Sequence, residues 1–120
     1  MYKLVVGPEA GQVIDINQPP IVNVKRVARA LKKYTESVTV LILNQTRHQQ
    51  LINEVRSCGA RIKLIDEGEI SGCLAAITGE RADIYMGYGF APEGALVAAA
   101  ISCLGGYFEG KIFYENDRDR

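Results

Sequence analysis

Histidine is nearly absent: His48 is the single one in 120 residues. A metal cage built from several imidazoles of one chain is therefore excluded. Cysteine is scarce as well. Cys58, Cys73 and Cys103 are odd in number, widely spaced and free of any C-x-x-C pair. They read as reduced thiols buried among apolar helix residues, not as a disulfide framework. Net charge is missing, because 14 Lys and Arg balance 14 Asp and Glu. Nucleic-acid binders normally carry a net basic field, so that class is not expected. The local basic stretch Lys25, Arg26, Arg29, Lys32 and Lys33 reads as the solvated face of a helix. No apolar run approaches the roughly 18–20 residues of a membrane span. The start, Met1 to Pro8, lacks the layout of a signal peptide. A soluble, cytoplasmic protein without membrane or nucleic-acid partners is the expectation.

What is present is apolar and patterned. Hydrophobic residues make up 48% of the chain, enough for one domain over residues 1–120 with a real core. Tyr2 to Val6 and Val13 to Ile16 read as short strands around a Gly-containing turn. Pro19-Pro20 breaks the chain, and a helix is expected from Asn23, with Val24, Val27, Ala28, Leu31 and Tyr34 at helical spacing. Lys32 and Lys33 fall in its last turn, where cations suit the helix dipole. Val38 to Leu43 is a continuous apolar run, as in a parallel strand covered on both faces. Thr46 with Gln49 has the spacing of a capping box. Leu51, Ile52, Val55 and Cys58 follow as a helical stripe, closed by Gly59.

The unit then recurs. Arg61 to Ile65 reads as a strand, Asp66 with Glu69 as a cap, and Ile70, Cys73, Leu74 and Ile77 as a stripe. Asp83 to Met86 is a third strand, followed by the loop Gly87 to Gly94 and an Ala-rich helix to Leu104. Tyr107 to Tyr114 is a last strand. Consecutive strand-helix units predict an α/β fold with a mainly parallel sheet, and right-handed crossovers make it a three-layer α/β/α sandwich.

In such sheets ligands gather at the carboxyl ends of the strands. Three loops belong there: Asn44 to His48, Asp66 to Glu69 and Gly87 to Glu93. Arg47 reads either as a surface arginine or as a planar fork for a phosphate at a helix N-terminus. Glu67 and Glu69 suit helix capping, and equally the binding of sugar hydroxyls. Glu93, after Pro92, reads as a first-turn dipole partner or as a ligand for a hard cation. His48 reads as a polar residue of a helix N-terminus rather than a catalyst. Gly87-Tyr88-Gly89 is not a dinucleotide fingerprint, since Pro92 occupies the third glycine position.

Taken in order, several segments carry a resemblance. They are Lys3-Leu4-Val5-Val6-Gly7-Pro8, Thr46-Arg47-His48, Glu67-Gly68-Glu69-Ile70, Gly87-Tyr88-Gly89-Phe90-Ala91-Pro92-Glu93-Gly94 and Leu104-Gly105-Gly106. The chain resembles the class II (GlpX-type) fructose-1,6-bisphosphatases, including those that also act on sedoheptulose bisphosphate. The resemblance implies the second, sugar-binding domain of the sugar-phosphatase superfamily. The activity implied is metal-dependent removal of the 1-phosphate from a sugar bisphosphate, with Mg²⁺ or Mn²⁺ as cofactor. By position, Gln45, Thr46 and Arg47 would face the substrate, and Glu67, Gly68 and Glu69 would hold sugar hydroxyls. Phe90 would make a backbone contact, and Glu93 would be a metal ligand.

The family usually has a basic residue at position 45, proline at 46, D-G-D at 67–69 and a small residue at 90. Its other metal acids lie in a D-P-x-[DE]-G-T type segment, to which none of Asp15, Asp66, Asp83, Asp117 and Asp119 belongs. The expectation is a substrate-binding portion with no catalytic residue of its own, inactive alone. It would pair with a separate metal-binding half, in cis or in trans, and form a homo-oligomer. The alternative is a non-catalytic sugar-phosphate-binding or interaction module derived from that family.

Overall fold

The computed structural model describes residues 2–66, 82–88 and 107–111, the last segment by its backbone and the Glu109 side chain. Five strands form one sheet: β1 (Tyr2–Val6), β2 (Thr39–Leu43), β3 (Arg61–Ile65), β4 (Ile84–Tyr88) and β5 (Tyr107–Lys111). Among the described residues two α-helices accompany them, α1 (Pro20–Ala30) and α2 (Gln49–Ser57). The spatial order is β3-β2-β4-β1-β5. β2 pairs in parallel with both β3 and β4, while β1 runs antiparallel to β4 and β5. The fold is α/β, but the sheet is mixed rather than mainly parallel. The first strand inserts between two later ones, a pairing that local sequence does not encode.

The apolar strand residues alternate between two faces. Tyr2, Leu4, Val6, Val40, Ile42, Ile84 and Met86 join Val24, Val27, Leu51, Ile52 and Val55 of the helices in one buried cluster. Each such aliphatic side chain contributes about 1.5–3 kcal/mol by leaving water. On the opposite face Lys3, Val5, Leu41, Leu43 and Tyr85 are also buried. Strands hidden on both sides explain the uninterrupted apolar runs.

Four local expectations are corrected. Val13 to Ile16 is not a strand. β1 ends opposite the start of β4, with Val6 paired to Ile84, and the chain must return to Pro20, which borders a cleft with Tyr88. The segment crosses the sheet face, and its backbone is satisfied by turn bonds and side chains instead of a ladder. Asn23 accepts from Asp15 N–H and donates to Asp15 C=O, both at 2.9 Å, and Glu109 Oε1 accepts from Ile16 N–H at 2.7 Å.

The first helix starts at Pro20, not Asn23, because proline at a first helical position loses no intrahelical bond. Its C-terminus is also shifted. Lys32 lies beyond the helix at φ 57°. Lys33 N–H reaches Ala28 C=O at 2.9 Å and Lys32 N–H reaches Arg29 C=O at 3.2 Å, the bonds of a Schellman ending. Tyr34 is consequently 80% exposed instead of extending the stripe.

Thr46 and Gln49 make no capping box. A 3-10 turn over Thr46–His48 precedes α2, with no side-chain cap at either start. Gln49 bonds Asn53 instead. Finally, β4 runs to Tyr88, so Gly87 and Tyr88 belong to the sheet, not to the following loop. Gly59 ends α2 at φ 92°, as expected. The stripe at 70–77, the Ala-rich helix to Leu104, Glu69 of the expected Asp66/Glu69 cap and residues 112–114 of the last strand lie outside the described residues.

Candidate functional site

Because β3, β2 and β4 are adjacent and parallel, their carboxyl ends share one edge of the sheet. Leu43 pairs with Ile65, and Asn44 N–H continues the ladder to Ile65 C=O at 2.8 Å. The chain therefore leaves β2, β3 and β4 at neighbouring points, at Asn44, Asp66 and Tyr88. That is the arrangement required for three loops to meet around one ligand. The opposite edge is structural. There Asp83 accepts from Thr39 N–H and from Lys33 Nζ, each at 2.9 Å, tying the end of α1 to β2 and β4.

The turn after β2 is fastened by its own backbone and by two side chains. Gln45 N–H bonds Leu43 C=O and His48 N–H bonds Gln45 C=O, both at 2.9 Å. His48 is fully buried. Its Nδ1 lies 2.9 Å from Leu43 C=O, and its Nε2 accepts from Tyr88 N–H at 2.8 Å. Arg47 Nε donates to Tyr88 C=O at 3.2 Å. The His48 ring stacks on Tyr88 at 5.9 Å between centroids, and Tyr88 packs on Tyr2 at 5.0 Å. His48 thus stands at a helix N-terminus, as expected, but turns inward to join β2 and β4.

Burial pulls the His48 imidazole below its ordinary value of 6.5, with the Arg47 and Lys3 cations adding to the shift against two backbone hydrogen bonds that oppose it. Burial raises the Tyr88 phenol, with a smaller push from Glu54.

The turn separates two clefts. One, of about 480 Å³, is bordered by Pro20, Arg47, Gln50, Leu51, Glu54 and Tyr88. The other, of about 310 Å³, includes Gln45, Thr46, Gln49 and Arg56. A 3-10 turn rotates about 120° per residue, so neighbouring side chains diverge. Arg47 therefore borders a different cleft from Gln45 and Thr46. Three residues escaped sequence reasoning as members of this region: His48 as a buried link, Tyr88 as its partner and Arg56 as a second cation. Gly87 beside Tyr88 was the available signal for close packing there.

Glu67, Gly68, Glu69, Phe90 and Glu93 lie outside the described residues. Among the described residues no three His, Cys, Asp or Glu side chains converge as a metal would need. They do not by themselves fit a divalent-cation centre, and no metal step is assigned to them. No described helix is long and apolar enough to cross a membrane.

The description "Bacterial fructose-1,6-bisphosphatase, glpX-encoded" matches residues 1–120. A D-fructose 1,6-bisphosphatase class 2/sedoheptulose 1,7-bisphosphatase of Gloeobacter violaceus is 41% identical over 118 residues, 98% of this chain and 34% of the relative. A protein of the same name from Synechococcus sp. is 40% identical over 116 residues, 96% of this chain and 33% of the relative. The chain spans about a third of the length of the curated relatives it matches. Among solved structures, an ancestral arginine-binding protein bound to glutamine superposes with a TM-score of 0.56 at 15% identity, covering 93% of this chain and 40% of that one. That likeness concerns the fold alone. Matched over all 120 residues, the chain belongs to the glpX-encoded, class II family of bacterial fructose-1,6-bisphosphatases.

Proposed function

We propose that this chain supplies the sugar-bisphosphate-binding portion of a metal-dependent bisphosphatase. The observation that carries the reading is the common edge of β3, β2 and β4, with Arg47 held against the end of β4. Arg47 there offers the planar guanidinium that a phosphate group favours. Gln45 and Thr46 add neutral donors on the other side of the turn. In this reading Glu67, Gly68 and Glu69 hold sugar hydroxyls, Phe90 makes a backbone contact and Glu93 is a metal ligand. Mg²⁺ or Mn²⁺, held largely by acids from a further portion, would supply the Lewis acidity for phosphoryl transfer. The residues of this chain bind and orient; alone, the chain releases no phosphate. A three-layer sandwich belongs to the same reading, supported by burial of Val5, Leu41, Leu43 and Tyr85 on the face away from α1 and α2. A homo-oligomer is supported by Leu64, 42% exposed on β3, the outermost of the described strands on that side.

Calorimetric titration with fructose 1,6-bisphosphate tests it. Binding is expected, and Arg47→Ala should weaken it about 10- to 100-fold, the range for losing charge-assisted hydrogen bonds. Absence of any melting shift at millimolar sugar bisphosphate sinks the proposal. Binding that persists without phosphate release, even beside the family's metal-binding portion and Mn²⁺, favours instead a non-catalytic binding module.

A further inference from the structure

We propose that His48 is a positioning residue of this site: a neutral imidazole, protonated on Nδ1, that holds Arg47 against the end of β4. The proposal rests on the reading of Arg47 given above, but its geometry stands separately.

β2 pairs with β4 through Val40 and Leu41, opposite Ile84 and Tyr85. Continued, that register puts Leu43 opposite Gly87, and β2 turns away before Tyr88. The N–H and C=O of one strand residue point to the same side, so both groups of Tyr88 on the β2 side need other partners. His48 and Arg47 provide them. Tyr88 N–H donates to His48 Nε2 at 2.8 Å, and Tyr88 C=O accepts from Arg47 Nε at 3.2 Å. Two consecutive side chains thus replace the strand neighbour that ended.

The tautomer follows from the partners. Leu43 C=O can only accept, so Nδ1 carries the proton. Tyr88 N–H can only donate, so Nε2 is bare. An imidazolium would set two N–H groups head to head. The charged and titratable groups facing the ring are Arg47 from its own turn, Lys3 from β1 and the Tyr88 phenol from β4. Both cations oppose protonation. Gly87 makes room for the ring: a Cβ there would stand 3.1 Å from Nε2. A residue that only filled space would need none of this. Leucine would fill the volume, yet leave Tyr88 N–H unmet and Arg47 without its companion.

The test is nuclear magnetic resonance on the ¹⁵N-labelled full chain, comparing wild type, His48→Leu and His48→Gln. Imidazole correlations in the wild type should report a proton on Nδ1. Arg47 Nε–H should be as ordered as the backbone in the wild type, and mobile in folded His48→Leu. His48→Gln, which restores an acceptor, should recover most of the order. Fructose 1,6-bisphosphate affinity should fall about tenfold in His48→Leu and return in His48→Gln. An Nε2-protonated ring, or an Arg47 equally ordered in folded His48→Leu, overturns the proposal. Should His48→Leu not fold, the wild type is titrated instead. Arg47 Nε–H must then lose order in step with imidazole protonation, and indifference overturns the proposal. Loss of Arg47 order with unchanged affinity leaves His48 as the positioning residue and removes Arg47 from phosphate binding.

Discussion

Gly87→Ala tests how tightly the His48 ring is held between the ends of β2 and β4. Gly87 is buried in β4, and a methyl group built on it would lie 3.1 Å from His48 Nε2 and 3.4 Å from Cε1. The first distance is tighter than an ordinary contact and the second lies at the lower edge of one, so the ring must retreat by a few tenths of an ångström. It has little freedom to do so, because hydrogen bonds of 2.9 and 2.8 Å hold it from both sides. Overpacking of a closed core costs about 1–3 kcal/mol. Replacing glycine where its backbone needs no positive φ returns about 0.4–1 kcal/mol through the unfolded chain. The clash outweighs the gain, and a net loss of about 1–2 kcal/mol is expected. Urea unfolding reads it as a lower midpoint at unchanged slope. In a His48→Ala background the ring is gone, and the same substitution should become neutral or stabilising. A double-mutant cycle isolates that coupling. A stabilised Gly87→Ala in the wild-type background, or no coupling between the two sites, refutes the reasoning.

Other outcomes follow from separate features. Stability should decline as pH drops from about 6.5, the unfolded value of histidine, toward the lower folded value of His48, because there the unfolded chain binds more protons. The decline should be missing from the profile of His48→Gln, and identical profiles contradict it. Asn23→Ala should cost about 2 kcal/mol, since both its amide bonds to the Asp15 backbone are lost from a buried side chain. Unfolding titrations showing a change below about 0.5 kcal/mol would argue against the Asn23 clasp. Lys32→Gly should stabilise by about 0.5–1 kcal/mol, as φ 57° is penalised for any side chain. A lower melting temperature for that variant contradicts a left-handed ending to α1.

The local segments were legible in the chain wherever one residue type has one strong physical reason to be there. Val38 to Leu43 is apolar at every position but Thr39, and β2 is indeed buried on both faces. Leu51, Ile52 and Val55 recur at helical spacing, and Gly59 closes the helix at a φ that glycine tolerates. The family was legible too, since ordered motifs survive a change of many residues between them. The misreadings share one cause. Val13 to Ile16 is β-branched at every position but Asp15, as in a strand, but whether it joins a ladder depends on Asn23 and Glu109, the latter 93 residues from its partner. Lys32 is left-handed because the helix ends around it, not because lysine favours that state.

Arg47 was named as a site residue from its type and place. His48 was passed over, because its value lies in what surrounds it. The order of motifs pointed to the family, and the alternation of apolar runs with helical stripes to the α/β class. Tertiary structure alone decided that the first strand enters the sheet backwards, that Arg47 and Gln45 border different clefts, and that one imidazole joins two strand ends. Periodicity and capping act over a few residues and can be read along the chain. Register, clefts and hydrogen-bond partners arise between segments far apart, and exist only once the sheet has closed.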